Sequence, residues 1–366
     1  MAETENRERK NTRPRGTKRA AFFLRTILFF ALLLALAAYG VYVCTPKYEY
    51  GICSMVNLYQ QPENSVDVLM LGTSLAYSGV NTNVLWREYG IACYNLCGAE
   101  LPYWAEYYML REALKTQRPQ LILLDAKSSI YTRDYSSRER TILSTFGIRS
   151  PENRIGAIFA CVKNREDAQG FVLGLPEVHN RYPDVTAADF SFPPDNGGRG
   201  PNWKGYIETD EVEQHVRPSL TWNTVSQNIP AKTEEYFRRI LALAREEGIP
   251  LLLIGFPNPD YANDHMYYNK IRNIAQEYGV PFTNYNDPSL RFGLRYSSDF
   301  ADWQHLNVKG SMNFTRKLGQ DLMDAYSLPD RRDDPYYASY EACALDWYAK
   351  LPTFTTGPEN TQQTDE

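Results

Sequence analysis

Ser74, Asp302 and His305 can share one proton relay, and they stand at opposite ends of this chain's regular region. Ser74 follows a buried-strand pattern in VDVLMLGTS, where the apolar run stops at Gly72-Thr73. Far downstream, DWQHLN supplies Asp302 and His305 three positions apart, just ahead of a helix-like run. A serine hydroxyl is a weak nucleophile and attacks only if a base takes its proton. His305 can be that base if Asp302 fixes its tautomer and stabilises the imidazolium. Such a set performs acyl transfer and calls for no cofactor and no metal. Ser74 also has a purely structural use, because serine often caps the helix that follows a strand. His179, His215 and His265 lack comparable neighbours and are expected on the surface or in loops.

Bringing residues 231 positions apart into contact requires a sheet that gathers its loops at one edge. Strand-like apolar runs occur at Val66 to Leu71, Ile91 to Leu96, Leu121 to Asp125, Leu251 to Phe256 and Val280 to Tyr285. Between them, Tyr107, Leu110 and Leu114 recur at helical spacing, as do Phe237, Ile240, Leu241 and Ala244, then Tyr267, Ile271, Ile274 and Tyr278. This alternation predicts an α/β fold: about five mostly parallel strands covered by helices on both faces. Open sheets of this kind bind ligands at the carboxyl ends of their strands, where Ser74 would sit. The interval 128–228 breaks the alternation with Pro, Gly, Asp and aromatic residues and reads as an insertion. Its Trp203, Tyr206 and Trp222 could stack on sugar faces or pin an irregular loop to the domain. The tail 352–366 lacks apolar periodicity and is expected to be disordered.

The early G-T-S, the late D-x-x-H-L-N-x-x-G and the order Ser74, Asp302, His305 together resemble the SGNH/GDSL hydrolase superfamily over roughly 66–326. The flanks YQQPENSVDVLMLGTS and LWREYGIACYNL are similar to a membrane-anchored extracytoplasmic branch that includes alginate-type O-acetyltransferases and the teichoic-acid D-alanylation protein. The resemblance implies a three-layer α/β/α SGNH-like fold and an acyl-serine intermediate. It also implies an oxyanion hole that includes the amides of Ser74 and Gly98. Its usual third donor, an asparagine after the third strand, is replaced by LLDAKSS with Asp125, Ala126 and Lys127, of which only the lysine could donate. That departure favours transfer to a polymer over rapid hydrolysis, and leaves open a weakly active or inactive scaffold that binds glycan or an assembly partner. Tyr103, Trp104 and Trp303, close in sequence to Gly98 and His305, are the candidates for holding a substrate such as a carbohydrate polymer or acyl donor. A membrane acyltransferase is a further partner consistent with the resemblance. Thr73-Ser74 after a first strand could also suggest a phosphate loop, but neither G-x-G-x-x-G nor the Walker pattern is present.

The amino-terminal region is different in kind. Residues 1–25 hold eight Lys or Arg against three Glu, and 26–44 carry no charge over 19 residues, close to the ~20 a bilayer-spanning helix needs. Basic residues before the span predict a cytoplasmic amino terminus and an extracytoplasmic domain over 45–351. Ala35-Leu36-Ala37 offers the competing reading of a cleaved signal peptide, although apolar residues continue to Val43. Tyr42 and Val43 are too large for a lipoprotein site at Cys44. Beyond residue 25 the chain has 31 basic and 41 acidic residues, a net of about −10, which disfavours nucleic acid as a partner. Cys93 and Cys97, ~13 Å apart if extended, are too distant to pair, while Cys53, Cys161 and Cys343 could form a disulfide in an oxidising exterior. No Cys/His cluster has zinc spacing.

Overall fold

The five apolar runs form a single parallel sheet of β1 (Val68–Gly72), β2 (Cys93–Cys97), β3 (Leu121–Asp125), β4 (Leu251–Gly255) and β5 (Phe282–Asn284). The computed structural model describes residues 15–48, 50–131, 133–191, 203–219, 223–290 and 292–351. Thirteen α-helices lie among the described residues. The first five are α1 (Arg15–Cys44), α2 (Ile52–Leu58), α3 (Ser74–Gly79), α4 (Thr82–Tyr89) and α5 (Tyr103–Ala113). After β3 come α6 (Arg138–Thr145), α7 (Pro151–Cys161), α8 (Arg165–Leu173) and α9 (Leu175–Val178). The rest are α10 (Ala231–Glu246), α11 (Tyr261–Glu277), α12 (Val308–Ala325) and α13 (Ala338–Lys350).

The sheet is buried on both sides, so its strands read as continuous apolar runs instead of alternating ones. Leu69, Leu71, Ile122, Leu124 and Leu253 join a core with α5, α10 and α11. Val68, Met70, Leu121, Leu123 and Ile254 point the other way, into a core with α3, α4 and α12. This gives three α/β/α layers. Each fully buried Leu or Ile contributes about 1.5–3 kcal/mol of transfer free energy, so the two cores favour one strand register strongly.

The strand order is β2-β1-β3-β4-β5. The chain therefore moves to one side of β1 for β2 and to the other for β3, which opens a crevice at the carboxyl ends of β1 and β3. Both Ser74 and Asp125 lie there.

The interval 128–228 is more helical than its composition suggests. α6 and α8 start on side-chain caps, with Ser137 accepting from the Arg140 amide and Asn164 from the Asp167 amide, while α7 carries Pro151 in its first turn. With Ile52 of α2, Phe146 just after α6, Ile158 of α7, Phe171 of α8 and Val178 of α9 close a satellite core. Trp203 and Tyr206 pack with Val84, Val308 and Trp347 of α13, so they pin the segment to the domain. Trp222 and the tail 352–366 lie outside the described residues. Cys44, Cys93, Cys97 and Cys161 are free thiols.

Candidate active site

Thr73, not Ser74, caps α3: its hydroxyl accepts the Leu75 amide at 3.3 Å. The Ser74 side chain is thus released from helix capping. It meets His305, whose Nε2 lies 2.7 Å from Ser74 Oγ. On the other side of the ring, His305 Nδ1 lies 2.7 Å from Asp302 Oδ2 and 3.0 Å from Oδ1. With Nδ1–H donating to the carboxylate, Nε2 is left as the acceptor for the serine proton.

The loop carrying Asp302 and His305 is fixed from several directions. Asp302 Oδ1 also accepts the backbone amides of Gln304 and His305, each at 2.8 Å. Burial pushes the Asp302 carboxyl upward, but the bonds from the His305 ring and these amides outweigh it, and the group is held below its ordinary value. The loop closes through the bridge between Phe300 and Leu306. Asn307 caps α12 by accepting the Gly310 amide at 3.1 Å, and its Nδ2 donates to Ser298 O at 2.8 Å. A Cβ at Gly310 would lie 2.0 Å from the Asp299 carbonyl oxygen, so that position admits glycine only. The D-x-x-H-L-N-x-x-G string therefore encodes a histidine paired with a carboxylate, a helix cap and a close backbone approach.

Asp125 organises the nucleophile turn. Its Oδ2 accepts the Thr73 hydroxyl at 2.6 Å and the Thr73 amide at 3.1 Å, and its Oδ1 accepts the Lys127 amide at 2.8 Å. Burial raises its pKa to about 6, with these three bonds and the Lys127 charge pulling the other way. A Cβ at Gly72 would lie 2.5 Å from that of Asp125, so the approach depends on glycine there. Lys127 itself is not aimed at the serine. Its Nζ forms a buried ion pair with Asp264 at 2.6 Å, which removes it as the replacement oxyanion donor.

Two other expected residues are engaged elsewhere. The Gly98 amide donates to Gly72 O at 3.1 Å, continuing the β1–β2 ladder, and is not free to face an oxyanion. Tyr103 is fully buried, its ring tilted 33° against that of Phe237 at 5.0 Å, and it donates to Asp125 O at 3.1 Å, so its side chain faces the core. Its neighbour Trp104 is also buried, with the Lys232 ammonium 4.6 Å over its ring, but it lines an open cavity of about 300 Å³. Glu100, Tyr131, Tyr135 and Arg140 line the same cavity, at the carboxyl edge of the sheet, although neither Ser74 nor His305 does. Trp303 is 54% exposed on the turn between Asp302 and His305.

One neighbour of the serine was not foreseen. Burial pushes the pKa of the Tyr77 phenol far up, with the neighbouring Ser74 hydroxyl pulling the other way, so the phenol stays neutral. Its spacing of three residues from Ser74 on α3 is the signal that could have found it, since residues so spaced share a helix face.

No family model matches the sequence, and no curated protein is similar to it. A solved structure from Bacteroides fragilis, described only provisionally as an acylhydrolase, aligns with a TM-score of 0.34 and 13% identity. The alignment covers 73% of this chain and 93% of that one.

Proposed function

We propose that the protein is a membrane-anchored serine esterase or acyltransferase that works through an acyl-serine intermediate on a cell-envelope or exported polysaccharide. The observation that carries this reading is the unbroken chain from Asp302 through His305 to Ser74, 2.7 Å at each link. The resemblance of these residues to the SGNH/GDSL pattern points the same way.

Ser74 Oγ attacks the acyl carbonyl carbon while its proton passes to His305 Nε2, and the carboxylate of Asp302 stabilises the imidazolium. Negative charge gathers on the former carbonyl oxygen, where the Ser74 amide and the Tyr77 phenol are the donors we assign. Collapse breaks the bond to the leaving alkoxide, which takes the proton from His305. An acceptor hydroxyl then gives its proton to His305 and attacks the acyl-serine; as the bond to Ser74 Oγ breaks, the serine oxygen takes that proton back from His305 and the acceptor leaves with the acyl group. Water in that second step gives hydrolysis.

The apolar segment Arg19–Cys44 supports the anchoring. Its 26 residues span about 39 Å as a helix, enough for a hydrocarbon core of about 30 Å. A fluorophosphonate probe tests the core of the reading. Adduct formation on Ser74, abolished by His305→Ala, is expected; a folded protein that never labels would favour the scaffold alternative, consistent with the committed amide of Gly98.

A further inference from the structure

Resting on the reading of α1 as a membrane anchor, we infer that the surface where α1 leaves the domain is a bilayer-contact face. It consists of the end of α8, α9 and the turns at 179–184 and 187–190. The catalytic domain is then seated on the membrane and does not hang from a free tether.

The first ground is that the end of α1 is docked. The place of a Gly40 Cβ is 3.6 Å from Leu175, and Gly174 packs on Val41. Arg181 donates to the Val43 carbonyl oxygen at 3.2 Å, supplying a cation to the helix's carboxyl end. The same guanidinium pairs with the buried Asp189 carboxylate at 2.9 Å, and Lys47 lies 3.7 Å from it. Tyr48 donates to Ala188 O at 3.1 Å, and Tyr42 donates to Ser191 O. These contacts fix the direction in which the helix leaves the domain.

The second ground is what surrounds that exit. From residue 27 to residue 39 the helix exposes apolar side chains on all sides, the pattern of a segment solvated by lipid. The only hydroxyl from residue 19 to residue 38, that of Thr26, is satisfied internally by Phe22 O at 3.0 Å. Contact with the domain begins at Tyr39, whose ring lies 6.5 Å from that of Phe190. The bilayer surface must therefore fall at this level. There, Leu173 is 70%, Tyr182 75% and Phe190 53% exposed, a set of large apolar and tyrosine side chains of the kind that anchors at the lipid headgroup region.

Seating also fixes the height of the site. Arg138 pairs with Glu177 at 2.6 Å, tying the start of α6 to α9, and α6 supplies Arg140 to the cavity at the carboxyl edge of the sheet. An acyl donor or acceptor presented at the membrane surface would then meet a site held at constant reach.

The full chain reconstituted in phosphatidylcholine–phosphatidylglycerol vesicles tests this. Leu33→Cys, Leu173→Cys, Tyr182→Cys and Met323→Cys are each labelled with an environment-sensitive fluorophore, and the signal of the parent protein treated identically is subtracted. Lipids spin-labelled near the headgroup should quench most of the emission at 173 and 182, lipids labelled deep in the chains that at 33, and neither that at 323. Asp189→Ala should lower quenching at 173 and 182 while leaving 33 unchanged. Quenching at 33 with none at 173 or 182 would overturn the seated face and leave the anchor standing, as would shielding of 173 and 182 by a second protein copy without lipid quenching. Absence of quenching at 33 would overturn the anchor itself.

Discussion

Thr73 and Asp125 are joined twice, through the threonine hydroxyl and its amide onto a single carboxylate oxygen. This pair holds the turn that presents Ser74, and it places a titratable group where water does not reach. An unfolded chain ionises such a carboxyl near pH 4, whereas burial holds it protonated to about 6 in the folded protein. Between those values the folded state binds more protons, so the unfolding free energy falls as pH rises from about 4 to 6, by on the order of 3 kcal/mol. Denaturant titrations at several pH values should show this slope in the parent and not in Asp125→Asn. A parent that gained stability relative to the variant over that interval would mean that the carboxylate's three bonds outweigh its burial.

The relay of Asp302, His305 and Ser74 acts as one unit, so its losses should not add. Ser74→Ala and His305→Ala are each expected to lower kcat by on the order of 10³-fold or more, with the double variant little worse. Asp302→Asn should cost less, because its amide oxygen can still accept the Gln304 and His305 amides that shape the loop. Single-turnover rates on an activated ester read all four. Full activity in folded Ser74→Ala would remove the nucleophile assignment.

The parts of this site that were legible in the sequence are those set by short-range pattern. Four of the strands are buried on both faces, which leaves unbroken apolar runs such as Leu121 to Leu124, and the loop from Asp302 to Gly310 spells out its own cap and close approach. What could not be read depends on register and helical phase. The Gly98 amide is consumed because Gly72 pairs with Cys97, a fact about strand alignment and not about Gly98. Tyr103 lies five residues from Gly98, yet α5 turns its ring inward against Phe237. Lys127 reads as a free cation until α11 brings Asp264 to it.

Tyr77 carries the next expectation. With Gly98 and Lys127 both engaged, the phenol beside Ser74 is the remaining side-chain donor assigned to the developing oxyanion. Tyr77→Phe keeps the ring packed near Tyr50 and removes only the hydroxyl. It should lower kcat by roughly 10–10³-fold with little change in KM, as expected for a bond made in the transition state. A rise in KM at constant kcat would make Tyr77 a ground-state binding residue instead.

Acceptor choice should separate from acyl-enzyme formation at Trp303. Its indole is exposed on the turn between Asp302 and His305, the residue assigned to take the proton of an attacking hydroxyl. An aromatic face there can hold a sugar ring, and an acceptor must be held in attack geometry to compete with abundant water. The parent protein is expected to hydrolyse a small activated ester slowly and to turn over faster with a suitable oligosaccharide, yielding acylated sugar. Trp303→Ala should leave the acylation burst unchanged while raising the oligosaccharide concentration needed for half-maximal transfer by about tenfold, the equivalent of ~1.4 kcal/mol of lost acceptor binding. Mass spectrometry of the product sugar and the burst amplitude together check this. Fast hydrolysis that no glycan diverts, equal in parent and variant, would identify an esterase whose acceptor is water.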